Sequence, residues 1–102
     1  LIEVIGTSVE SVEAVQDGEP GTFFINVSNP DKISMVLQCP CGCKDVSQIS
    51  LHQQSNNTKG WYWDGIIRKP TLSPSLHKQT ERSDGKLIDH WHGWLKQGIW
   101  RE

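Results

Sequence analysis

Apolar and polar positions alternate in short runs along most of the chain, the period of a strand with one buried face. Val46–His52 alternates in this way, with Ile49 and Leu51 on one face. Thr22–Val27 is β-branched and aromatic, and it follows Asp17-Gly18-Glu19-Pro20-Gly21, a strong turn signal. Asn29-Pro30-Asp31 turns the chain into a further run, Ile33–Cys39, and Trp61–Ile67 is again aromatic and β-branched. Pro70–Leu76 is broken by prolines and reads as edge strand or loop. Gln53–Lys59 and Gln79–Gly85 are polar loops. Leu87–Leu95 and Ile99–Arg101 flank Lys96-Gln97-Gly98, a hairpin turn with glycine at a positive-φ position. Thr7–Gln16 supports two readings. Val9, Val12 and Val15 recur at helical spacing and Thr7-x-x-Glu10 fits a capping box, yet the segment is short and β-branched, so it is a strand or a helical turn. The expected fold is mostly β: a small, compact antiparallel sheet or barrel-like meander with a metal-stapled turn.

The length, 102 residues, suits one domain spanning residues 1–102. Hydrophobic residues are 35% of the chain, a lean supply concentrated in five tryptophans, and a lean core gains from a metal staple. Net charge is −2, which supplies no general attraction to nucleic acid or anionic lipid. The charge is uneven: residues 1–51 carry seven acidic and two basic side chains, residues 52–102 five acidic and eight basic. There is no apolar run of membrane-spanning length, and Leu1-Ile2-Glu3-Val4-Ile5-Gly6 lacks the features of a signal peptide, so a cytoplasmic location in a bacterial host cell is expected.

Cys39-Pro40-Cys41-Gly42-Cys43 is the most informative stretch. Three cysteines in five residues make no disulfide framework, and a reducing compartment suits thiolate ligands. Pro40 fixes φ and Gly42 permits positive φ, so the chain can turn tightly enough to present sulfurs to one zinc ion. Further ligands are sought in Asp89-His90-Trp91-His92. On a strand, His90 and His92 share a face with Ile88 and Trp94, whereas Asp89 points the other way. The expected metal set is therefore Cys39, Cys41, Cys43, His92, His90 and Asp89, with His52 and His77 as lesser candidates.

Several segments occur together in a fixed order: Gly21-Thr-Phe-Phe-Ile, Cys39-Pro-Cys-Gly-Cys, Trp63-Asp64-Gly65, Thr71-Leu-Ser-Pro-Ser-Leu76, His92, Trp94-Leu95 and Gly98-Ile-Trp100. Over roughly residues 12–101 this order resembles a family of small bacterial and phage proteins of unknown function, sometimes mislabelled ammonia monooxygenase, some of which lie beside bacterial ubiquitin-like conjugation genes. That family's pattern is C-x-C-G-C-G, D-G, S-L-x-P-S-I and C-x-x-H before a hydrophobic hairpin. The resemblance implies metal ligands on the cysteine cluster and His92. Where the family has the cysteine of C-x-x-H this chain has Asp89, so Asp89, His90 or the third cysteine closes the site. Where the family has glycine after its last cysteine, this chain has Lys44.

Three function classes follow. The favoured one is a zinc-binding accessory module that engages another protein, in a phage setting a factor that modulates a host protein, with Trp100 as a candidate exposed anchor. A single-stranded nucleic-acid binder would use tryptophans to stack on bases, but Arg68-Lys69 is the one basic pair and no basic run exists. A zinc-dependent hydrolase would need a general base beside the metal, and no His-Glu-x-x-His or His-x-Glu signature occurs, which argues against an enzyme. Ser73-Pro74-Ser75 reads as a turn whose hydroxyls cap backbone groups rather than as a nucleophile or phosphosite.

Overall fold

A computed structural model of the chain describes residues 3–53, 60–73, 75–81, 84–85 and 87–102, the side chains of 78–81 and 87–90 excepted. Its strands are β1 (Glu3–Ile5), β2 (Phe23–Asn26), β3 (Ser34–Gln38), β4 (Val46–His52), β5 (Trp61–Trp63), β6 (Leu72–Ser73), β7 (Leu76–Glu81), β8 (Leu87–Lys96) and β9 (Ile99–Arg101), with one short helix, α1 (Val12–Asp17). The fold is mostly β, as the alternating pattern implies, and it comprises two sheets. One has the order β1-β9-β8-β7 and is antiparallel throughout. The other, β2-β3-β4-β5-β6, is antiparallel except where β5 runs parallel to β4. That parallel pair departs from the expected meander.

The inner faces of both sheets share one core. Phe23, Ile25, Met35, Leu37, Leu51, Trp63 and Leu72 come from the second sheet, and Leu76, Trp91, Leu95 and Trp100 from the first. Trp91 and Trp100 meet edge to face at 5.7 Å, a favoured aromatic geometry. Trp100 is only 1% exposed, and its indole N–H donates to the Gly21 carbonyl at 2.8 Å. Its expected role as an exposed anchor is therefore corrected: the ring is core. Gly21, at φ +86°, is where that close approach is made, since a Cβ would fall 2.8 Å from the Trp100 ring.

The ambiguous early segment resolves into α1, six residues long, after Ser8 bridges to Phe23. Its N-cap is Ser11, whose Oγ accepts from the Ala14 amide at 3.1 Å, rather than Thr7. Buried Gln38 satisfies the other end, donating from Nε2 to the Val15 and Gly18 carbonyls at 2.9 Å each. The β8–β9 hairpin turns through Gln97 and Gly98, at φ +50° and +78°. A two-residue loop with positive φ at both positions matches the twist of the flanking strands. Among the described residues, no helix is long and apolar enough to cross a membrane.

Candidate functional site

Among the described residues, two constellations gather reactive side chains. The first is the turn after β3. Cys39 N–H donates to the Asp45 carbonyl at 2.8 Å and Gly42 N–H to the Cys39 carbonyl at 3.3 Å, closing a compact loop. Gly42 sits at φ +93° and Lys44 at φ +67°. The Sγ atoms of Cys39, Cys41 and Cys43 all lie within 4.8 Å of one another. Those of Cys39 and Cys41 are 3.3 Å apart. Sulfurs at 2.3 Å on a zinc tetrahedron stand about 3.8 Å from each other, so the donor set fits such an ion with little adjustment. The Asp45 N–H lies 3.4 Å from Cys43 Sγ and orients it. Cys39 is buried whereas Cys41 and Cys43 are exposed. Burial pushes the Cys39 thiol up to about 12, its neighbours Cys41 and Cys43 adding to the rise while a backbone hydrogen bond at Cys41 opposes it.

Among the described residues no histidine joins the three sulfurs. His52 lies at the end of β4, edge-on to Tyr62, with a buried Nδ1 that lacks a hydrogen-bond partner. The side chains of Asp89 and His90 lie outside the described residues. His92, the favoured fourth ligand from sequence, is not in the group formed by the three sulfurs and takes part in the second constellation.

That constellation sits on the outer face of the β7–β8 hairpin. The register sets His77 opposite His92 and Leu76 opposite Gly93. Leu76, Trp91 and Leu95 point into the core, so His77, His92 and Trp94 point outward by the two-residue period of a strand. Gly93 permits this arrangement, because a Cβ there would collide with the Arg101 carbonyl and the Trp91 ring. Trp94, expected in the core with Ile88, is 42% exposed instead. Its ring stacks on His92 at 5.8 Å and 29°, and the His77 ring lies 4.8 Å from His92.

Ser75 completes the group. The chain leaves the second sheet at β6 and enters the first at β7, and Ser75 occupies that crossover, immediately before Leu76. The Trp61 indole N–H donates to its carbonyl at 3.3 Å. Its Oγ lies 3.0 Å from His92 Nε2. Serine and histidine seventeen residues apart in sequence thus share a hydrogen bond at the surface. With Nε2 unprotonated, His92 is placed to take the Ser75 proton, the arrangement of an activated nucleophile and its base. The capping reading of Ser73-Pro74-Ser75 missed this. The signal that could have found it is the alternation Trp91, Gly93, Leu95 against His92, Trp94, Lys96, which gives β8 an outward face bearing an imidazole.

Comparison with known proteins adds one finding. A family model described as the bacterial ubiquitination-like system serine protease, BubE, matches residues 9–102. No curated protein and no solved structure matches significantly.

Proposed function

Because the chain belongs to this BubE family, we propose that it is a serine protease in which Ser75 is the nucleophile and His92 its general base, acting on a protein of a bacterial ubiquitination-like system. The observation that carries the reading is the 3.0 Å contact between Ser75 Oγ and His92 Nε2. Oγ attacks the scissile carbonyl carbon while its proton passes to Nε2, and the C–N bond then breaks as His92 returns that proton to the leaving amine. Water repeats the cycle: it gives a proton to His92, attacks the acyl carbon, and Ser75 leaves with the proton restored. Trp94 and His77 flank the imidazole and hold its orientation.

The cysteine turn is read as a zinc staple that keeps the β3–β4 connection folded and takes no part in the acyl transfer. Three thiolates donate heavily to the ion and leave it a weak Lewis acid, which suits structure better than water activation. The partner expected from the sequence is then a substrate.

The test is labelling by a small alkyl fluorophosphonate, followed by peptide mapping, on wild type, Ser75→Ala and His92→Ala. Label on Ser75 that is abolished in the first variant and slowed at least about 100-fold in the second supports the reading. Well-folded protein that takes no label returns the chain to a non-catalytic binding module.

A further inference from the structure

The seam between the two sheets holds a cavity of about 120 Å³ that is lined by Leu76, the residue after Ser75. Leu37 and Ile49 line it from the second sheet, and Leu76 and Trp91 from the first. Trp61, whose indole holds the Ser75 carbonyl, forms another wall. Cys39 and Pro40 of the cysteine turn also line it, as do Ser47 and His77. Leu76 and His77 point to opposite faces of β7, so a cavity touched by both meets that strand at its edge. β7 is an edge strand of its sheet. The cavity therefore adjoins the one strand that begins at the nucleophile.

We infer that this cavity is the specificity pocket for the substrate residue whose carbonyl Ser75 attacks, and that it selects an aliphatic side chain of valine or leucine size. The inference rests on Ser75 as nucleophile. Its chemistry is apolar on most walls, which rejects a charged side chain for want of a partner. Its size sets the upper limit. An apolar cavity of about 150 Å³ holds benzene, so this smaller one takes a branched chain of three or four carbons but not an indole. The assignment to the acyl side follows from the two-step reaction. The acyl group stays on Ser75 through both steps, so a pocket that grips it serves both, whereas the amine departs after the first.

N-acetyl amino-acid p-nitrophenyl esters test this directly, since they vary the acyl residue alone. On the full chain with its metal, kcat/KM should rise at least about tenfold from glycine to leucine and fall again at tryptophan. Ile49→Trp should fill the cavity, cutting the leucine ester tenfold or more while sparing the glycine ester. Ile49→Ala should instead move the optimum toward phenylalanine. Fluorophosphonate labelling accompanies each variant. If Ser75 is labelled but the ester series is flat, or neither Ile49 variant moves it, the pocket is wrong and the nucleophile stands. If Ser75 is unlabelled and no ester turns over, both fall.

Discussion

The cysteine turn and the Ser75–His92 pair each gather reactive side chains, and they do so in opposite ways. The turn is assembled from five consecutive residues, with Cys39 buried beneath it. The pair is assembled from residues seventeen apart, one in the β6–β7 crossover and one on a strand face open to solvent. Removing the first should cost the fold. Removing the second should cost reactivity and leave the fold alone. On the proposed reading, the contrast separates a group whose chemistry is spent on holding the chain from one whose chemistry is left available.

Metal removal should break the comparison hardest if it is wrong. Stripping zinc with a strong chelator, or Cys39→Ser, is expected to destabilise the protein by about 5 kcal/mol or more, since structural zinc contributes folding energy outright. Urea denaturation with and without chelator measures it, and an unchanged midpoint would mean that the sulfurs hold no staple. Next in size, Ser75→Ala should lower peptide cleavage at least about 10³-fold, near 4 kcal/mol of barrier, with stability within about 0.5 kcal/mol of wild type. A large stability loss there would make Ser75 a structural hydroxyl.

These two regions were unequally legible in the sequence. The turn announces itself because its ligands are neighbours, and proline and glycine between them state the local geometry. The Gln97-Gly98 hairpin and the buried face of β4 were legible for the same reason. Ser75 was not, because Ser-Pro-Ser is an ordinary turn signal and a serine becomes a nucleophile only through the residue it faces. His92 reads from sequence as a candidate metal ligand, because nothing local sets it opposite His77. Trp94 is exposed and Trp100 buried, the reverse of the sequence expectation, because a period of two names two faces without saying which one is buried. The parallel β4–β5 pair depends on the path of the chain between them, which alternation does not encode.

Two smaller predictions sharpen the comparison. Trp94→Ala should reduce kcat/KM about tenfold by loosening the His92 ring, with Trp94→Phe recovering most of the loss and the melting temperature nearly unmoved in both. A loss that phenylalanine fails to recover would assign the effect to the indole N–H rather than to stacking. Lys44→Gly should stabilise the cysteine turn by about 1 kcal/mol, because a left-handed residue with a side chain carries a penalty of that order. Denaturation that shows no gain would mean that lysine contacts offset the strain.

The pairing of β1 with β9 has a consequence for how the molecule is born. Val4 is registered against Trp100 and Glu3 against Arg101, so β1 lacks this neighbour until β9 has been made. A ribosome adding ~5–20 residues per second leaves it waiting for about 5–20 s. Trp100, which seals the core against Gly21, arrives at the same moment. The nascent chain therefore carries Ser75 and His92 before it has β9, the strand that pairs with β8, and the proposed cleavage activity would be gained only once β9 has been made.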